Sequence, residues 1–260
     1  MKTEDLEYLA DKIADMIVVA SRIVVFTGAG ISTESGIPDF RGPDGLWTRL
    51  DPEDFTIQRF MSSRDVRKMQ WQMFAEGGLL KKAEPNAAHY AIAELERLGK
   101  LDCIITQNVD NLHQMAGNSS DRVFELHGNL RWVRCMSCDR RIPTEEVLQR
   151  VGKEEVPDCE VCNGILKPDG VFFGEALPQQ TLNEAIQRSR RCDLFIVIGS
   201  TLVVYPAAYM PMYAKEAGAQ LVVINLGSTP MDSHAAVRME HKAGEAMSRV
   251  IEKVKSKKSS

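Results

Sequence analysis

Residues 22–47 read RIVVFTGAGISTESGIPDFRGPDGLW, and this stretch decides the fold. Four apolar, mostly β-branched residues, Ile23 to Phe26, predict a buried strand. Thr27 then leads into Gly28-Ala29-Gly30, where two glycines let the backbone turn tightly and approach a ligand with no Cβ in the way. Ser32 and Thr33 can cap a following short helix, whose free N–H groups and positive dipole end suit a phosphate. Strand, Gly-rich turn and helix N-terminus together make a pyrophosphate cradle. The dinucleotide fingerprint asks for a third glycine where this chain has Thr33, so on the glycines alone a plain tight turn fits equally well.

The continuation narrows the reading. Gly36-Ile37-Pro38-Asp39-Phe40-Arg41-Gly42 sets a turn, an acid, an aromatic and a base side by side with little apolar surface to bury. Such a loop is costly to order unless a ligand orders it. The run GAGISTESGIPDFRGPDGLW resembles the cofactor loop of the sirtuins, the NAD-dependent protein deacylases.

The chain has 260 residues, enough for one sizeable core and a small second module. Hydrophobic content of 44% and charged content of 26% are those of a soluble globular protein. A net charge of −4 argues against nucleic acid as a main partner, because no basic footprint exists to release counterions. No apolar run approaches a membrane span, and MKTEDLEYLADK does not resemble a signal peptide. The expected location is cytoplasmic, with the six cysteines reduced or metal-bound.

Along the chain, residues 4–20 place Leu6, Leu9, Ala10, Ile13, Ile17 and Ala20 on one helical face. Residues 48–82 predict short helices covering the cofactor loop. A helix over Pro85–Leu98 carries His89, read as a packed core residue without a role. Strands follow at Leu101–Thr106 and Arg122–Leu126, an apolar run at Ile165–Phe173, a helix at Thr181–Arg190 and a strand at Cys192–Ile198. A helix at Pro206–Ala217, a strand at Leu221–Ile224, a helix at Gly244–Lys255 and a solvated tail complete the chain. Alternating strands and helices with short connections predict a Rossmann-like, doubly wound parallel α/β sheet. The expected division is a discontinuous nucleotide-binding domain (1–130 and 165–255), a zinc-ribbon insertion (131–164), a cofactor loop with helical cover (31–82) and a flexible tail (256–260).

Cys135-Met-Ser-Cys138 and Cys159-Glu-Val-Cys162 are two CxxC knuckles with twenty residues between them, the spacing of a zinc ribbon. Four thiolates satisfy tetrahedral Zn²⁺ and leave no position for an activated water, so one structural zinc per chain is expected. Cys103 and Cys192, within apolar strands, read as small core residues. An insertion of this kind gives the fold two lobes with a cleft between them.

Polar residues cluster just past the ends of the apolar strands, where open parallel sheets bind ligands. The clusters complete the resemblance: TQNVDNLHQMAG, ELHGN, the two knuckles, FFGE, GSTLVVYPAA and NLG match sirtuin motifs in sirtuin order, from about Arg22 to Gly227. Departures are Val109, the Ser200-Thr201 order, and Gly170, which is expected to loosen the peptide-binding edge. The resemblance implies removal of acetyl groups from protein lysines. Nicotinamide leaves the ribose of NAD, the acyl-lysine oxygen attacks the exposed carbon, and O-acetyl-ADP-ribose and free lysine result. It further implies that Asn108 and Asp110 orient the nicotinamide amide and ribose, that Phe40 excludes water, and that His127 is the general base for a ribose hydroxyl.

Cofactor contacts are implied at Gly28, Ala29, Gly30, Ser32, Thr33, Asp39, Phe40, Arg41, Gln107, Asn108, Val109 and Asp110. They continue at Gly199, Ser200, Thr201, Asn225, Leu226, Gly227 and Ala243. An acetylated peptide would lie extended between Val171-Phe172-Phe173-Gly174-Glu175 and the segment with Leu202, Val203 and Tyr205, adding a strand. Sirtuins that prefer succinyl or malonyl groups carry a Tyr-x-x-Arg pair that this chain lacks, since residues 60–78 read FMSSRDVRKMQWQMFAEGG. Arg64 and Arg67 are expected on a solvated helix face. Phe60, Met61, Met69, Trp71, Met73 and Phe74 are left near the channel. Mono-ADP-ribosyl transfer, removal of longer acyl chains and a non-catalytic NAD-sensing interaction module remain alternatives.

Overall fold

The computed structural model describes residues 3–40, 42, 45–76 and 83–258, with side chains from Leu6 onward. The strands β1 (Ile23–Thr27), β2 (Leu101–Thr106) and β3 (Val123–Glu125) begin one sheet. The next three, β4 (Gly128–Cys135), β5 (Arg141–Pro143) and β6 (Leu166–Gly170), form a separate sheet, and β7 (Leu194–Ile198), β8 (Gln220–Ile224) and β9 (Val237–Met239) return to the first. The larger sheet runs β3-β2-β1-β7-β8-β9, and every pairing in it is parallel. The order therefore reverses between β1 and β7. Both strands are buried along their whole length, which is why they read as unbroken apolar runs rather than alternating ones.

Period-two alternation divides these runs between two cores. Ile23 and Val25, with Ile196 and Ile198, face α1 (Thr3–Val19), α4 (Ala87–Arg97) and α9 (Ala243–Lys258). Val24 and Phe26, with Phe195 and Val197, face α7 (Gln179–Arg191) and α8 (Met210–Glu216). α1 buries Leu6, Ala10, Ile13 and Ile17 as expected, and α9 repeats the device with Ala246, Met247, Val250 and Val254. α4 opens on Asn86, whose side chain accepts the Ala88 N–H, so Pro85 stands before the cap rather than in the first turn.

The smaller sheet is antiparallel, ordered β5-β4-β6. The apolar run at 165–173 supplies β6 and thus belongs here, not to the parallel sheet: strand length and apolarity do not say which sheet a strand joins. Trp71 of α3 (Arg64–Ala75) enters this sheet's core with Val133, Val147, Cys159 and Leu166, and Phe74 packs against it. β9 is unanticipated, because three residues with a central Arg238 carry too little pattern. The tail also differs from expectation. Residues 256–258 continue α9, where Lys257 pairs with Asp11 and Asp15 (3.0 and 2.7 Å) and Lys258 Nζ donates to the Leu98 carbonyl.

Candidate active site

The carboxyl ends of β1 and β7 cross at van der Waals limits. Gly28 N–H donates to the Ile198 carbonyl (3.1 Å) and Gly30 N–H to the Gly199 carbonyl (2.8 Å). A Cβ on Gly28 would stand 2.8 Å from the Gly199 oxygen, and one on Gly30 2.8 Å from the Gly199 Cα. Gly28 and Gly30 are thus required by the close approach of Gly199 at the β7 end. The turn after them is not a helix N-terminus but two short 3₁₀ turns, Ala29–Ile31 and Thr33–Ser35. Neither Ser32 nor Thr33 caps by its side chain: the Thr33 hydroxyl donates back to the Gly30 carbonyl (3.1 Å), and Ser32 turns inward.

Buried Ser32 meets the β2 end. Its Oγ donates to Asp110 Oδ2 (2.7 Å) and accepts from Asn108 Nδ2 (3.1 Å), which also reaches the Gly28 carbonyl (3.3 Å). Ser32, expected as a helix cap and a cofactor contact, does not cap and is part of this polar centre. Burial raises the Asp110 carboxyl above its ordinary range, opposed by the bonds from Leu112 N–H and Ser32. Gln107 Nε2 donates to Ser200 Oγ (2.8 Å), which also accepts the Leu202 N–H (3.2 Å). With both acceptor positions filled, the Ser200 hydroxyl proton points elsewhere.

His127 follows β3, and its Nδ1 lies 3.0 Å from the Gln107 carbonyl. A carbonyl only accepts, so Nδ1 carries the proton and Nε2 keeps its lone pair. Burial pushes the imidazole below its usual range, against the Gln107 carbonyl, which raises it. Asn225 folds onto its own turn, Nδ2 to the Gly227 carbonyl (2.8 Å), with Leu226 exposed beside it. Val109 uses its carbonyl to hold Leu130 N–H (3.0 Å), Ala243 opens α9, and Thr201 is exposed. Asp39 Oδ1 accepts the Gly42 N–H (2.6 Å), while Arg41 lies outside the described residues.

The segment after β6 is more occupied than expected. Phe173 exchanges bonds with Phe55 and Ile57 (3.0 and 2.9 Å), and Phe172 N–H donates to Glu175 Oε2 (2.6 Å). Glu175 turns inward to Lys167 Nζ (3.0 Å), a buried lysine that also donates to the Pro168 and Gly170 carbonyls and lies 4.3 Å from the Phe172 ring centroid. Gly170, paired with Gly128, is held rather than loosened. Nothing in the sequence marks Lys167, since its partners become visible only once β6 turns back. What stays open is the Val171 carbonyl and the peptide groups of Gly174 and Val203, which have no partner among the described residues. Leu202 and Val171 pack in one apolar cluster, which brings the two segments together, with Val203 and Tyr205 exposed. An aromatic row joins this edge to the cofactor loop: Trp47 stands 5.3 Å from Phe40, 5.5 Å from Phe55 and 5.8 Å from Phe173, centroid to centroid.

The Sγ atoms of Cys135, Cys138, Cys159 and Cys162 all lie within 4.8 Å of one another. Cys135–Cys162 are 3.4 Å and Cys138–Cys159 3.8 Å apart. Four sulfurs about 2.3 Å from one zinc stand about 3.8 Å apart, so the cluster fits the ion.

A sequence model described as the Sir2 family matches residues 28–206. The NAD-dependent protein deacylase 2 of Archaeoglobus fulgidus is 47% identical over 94% of this chain and 95% of its own. The NAD-dependent protein deacetylase 1 of Bradyrhizobium diazoefficiens is 44% identical over 94% and 95%. A solved Sir2 with a deacetylated p53 peptide and 3′-O-acetyl ADP ribose superposes with a TM-score of 0.87 at 40% identity, covering 97% of this chain and 98% of that one.

Proposed function

The chain belongs to the Sir2 family, and from that premise we propose how its cleft serves an NAD-dependent protein lysine deacetylase. Acetyl-lysine, NAD and one water, which enters only after nicotinamide has left and the acetyl oxygen is bonded to the ribose, are the substrates; nicotinamide, deacetylated lysine and O-acetyl-ADP-ribose are the products. NAD supplies the ADP-ribosyl group that accepts the acetyl, and a structural zinc held by the four cysteines keeps the smaller sheet folded. The observation that carries this reading is the polar centre at the topological switch point: Ser32, Asn108 and Asp110 bonded to one another across the β1 and β2 ends.

The residues divide the task. Ala29 offers its backbone N–H, uncommitted among the described residues, to the pyrophosphate, which Gly28 and Gly30 let approach with no Cβ in the way, and the spare Ser200 hydroxyl proton is a further donor. Asn108 and Asp110 orient the nicotinamide end, and Asn225 to Gly227 with Ala243 hold the adenosine end. His127 Nε2, facing the cleft with its lone pair, takes a ribose hydroxyl proton. Phe40 excludes water. A neutral amide oxygen is a weak nucleophile, so holding the reactants aligned in a dry site carries most of the rate. The acetylated peptide lies extended and pairs with the open Val171, Gly174 and Val203 groups. No helix among the described residues is long and apolar enough to cross a membrane.

Mass spectrometry of an acetyl-lysine peptide with and without NAD tests the reading. NAD-dependent loss of acetyl with formation of acetyl-ADP-ribose is expected. NAD consumption that leaves the acetyl in place and modifies protein instead would mark a mono-ADP-ribosyltransferase, and no consumption a binding module.

A further inference from the structure

Two buried histidines outside the centre described above have partners that fix their protons. Asn86 N–H lies 3.3 Å from His89 Nδ1; the amide can only donate, so Nδ1 accepts and the His89 proton is on Nε2. That N–H has no partner among the described residues, nor does Nδ1 of His113, whose ring stands 5.0 Å away, centroid to centroid. Thr27 Oγ1 spends its one proton on Thr106 Oγ1, so toward His113 it can only accept. His113 therefore carries its proton on Nε2, which lies 2.9 Å from Thr27 Oγ1. Thr27 in turn donates to Thr106 Oγ1 (2.8 Å), and the same oxygen accepts the backbone N–H of Asn108 (3.0 Å).

The bonds run from His113 through Thr27 to Thr106, where the Asn108 amide donates from the other side, and His89 meets His113 by ring contact alone. Asn86 Nδ2 donates to the Ile31 carbonyl (2.7 Å) and to Ser35 Oγ (3.0 Å) of the cofactor loop. Asn108 Nδ2 closes on the other side of that loop, at Gly28 and Ser32. Burial holds both imidazoles neutral, His89 down at about 4 and His113 well below its ordinary range.

We propose that His89 and His113, both as neutral Nε2–H tautomers, are positioning residues that tie Asn108 and the cofactor loop into one circuit of two hydrogen-bonded arms joined by their ring contact, and so set the NAD end of the site without touching either substrate. The proposal rests on the deacetylase reading given above for Asn108. His113→Phe removes the donor to Thr27 at nearly constant shape, whereas His113→Gln retains an N–H near the same place. The Phe variant is expected to raise KM for NAD about ten-fold or more with the peptide KM within about two-fold, and the Gln variant to restore the NAD KM to within about three-fold of wild type. Equal changes in both KM values, a Gln variant as impaired as Phe, or a Phe variant indistinguishable from wild type would each overturn the circuit.

Should the Phe variant not fold, the wild-type protein decides. Long-range ¹H–¹⁵N histidine spectra at about pH 7 should show both rings as Nε2–H tautomers, and an Nδ1–H or charged His113 ring overturns the assignment. Wild-type turnover measured alongside separates the two readings, because its absence strikes the deacetylase assignment and leaves the tautomers to be judged by the spectra alone.

Discussion

At His127 one nitrogen is committed to the Gln107 carbonyl and the other is left basic, so the residue's orientation and its reactivity are set by a single bond. His127→Ala is expected to abolish deacetylation while ADP-ribose affinity stays within about ten-fold, since the base acts after the cofactor is seated. Full activity in that variant, measured by peptide mass spectrometry, would remove the assignment. The pH profile carries a sign. A base must be neutral to accept a proton, and burial lowers the His127 pKa, so its neutral form persists as the pH falls past the ordinary value of about 6.5. The acidic limb of kcat/KM therefore belongs below that value, and a limb above it would contradict the burial. The places of His127, Asn108 and Asp110 just past recognisable strands were legible in the sequence, and the roles proposed for them come from the family resemblance. The bonds of Ser32 to Asp110 and of His113 to Thr27 were not legible, because those partners lie far along the chain and only the fold brings them within reach.

Among elements, α2 (Ile57–Ser62) and α3 decide what acyl group the channel can match. Arg59 pairs with Asp54, and Arg64 and Lys68 pair with Glu155. Arg67, expected on a solvated face, instead folds back to the Phe60 and Met61 carbonyls (2.8 and 3.1 Å), where it satisfies the end of α2. Trp71 and Phe74, expected near the channel, belong to the core of the smaller sheet, and Phe60 packs edge-on to Phe172. All four cations of these helices are engaged, and a carboxylate buried without a cation is costly. We expect deacetylation to exceed desuccinylation at least about ten-fold in kcat/KM, about 1.4 kcal/mol in transition-state binding, on matched peptides. Equal rates would refute it. The peptide edge depends on another element-level device. Glu175→Gln leaves Lys167 buried without its counter-charge, which should cost about 2 kcal/mol of stability and raise the peptide KM more than that of NAD. Denaturant unfolding and separate KM measurements check the two halves. Secondary structure was readable wherever apolar periodicity was strong, as in α1 and β1. It failed at β9, too short to carry a pattern, and at Lys257, whose acidic partners lie on α1.

For the whole molecule, the parallel sheet holds itself together through two large apolar cores, whereas the smaller sheet has a modest one in which two of the four cysteines are themselves buried members. Its folding is thus tied to its metal. One zinc per chain is expected by elemental analysis, and Cys135→Ala should lose both zinc and activity; an active, folded, metal-free protein would contradict this. A parallel, doubly wound sheet was implicit in the alternation of strands and helices, though its strand order and its last strand, β9, were not. The membership of β6 was not, because a run of apolar residues does not name its neighbour.

The aromatic row from Phe40 through Trp47 to Phe173 has a thermodynamic consequence. It touches the cofactor loop at one end and the peptide edge at the other, so ordering either end biases the other. By reciprocity, whatever factor peptide applies to the affinity for an unreactive ADP-ribose, ADP-ribose must apply to the affinity for peptide. Paired calorimetric titrations should return one shared factor of about five or more in the native protein, and a factor near unity after Trp47→Ala, with each ligand still able to bind alone. The two substrates would then enter as heterotropic partners, each recruiting the other across a bridge of rings.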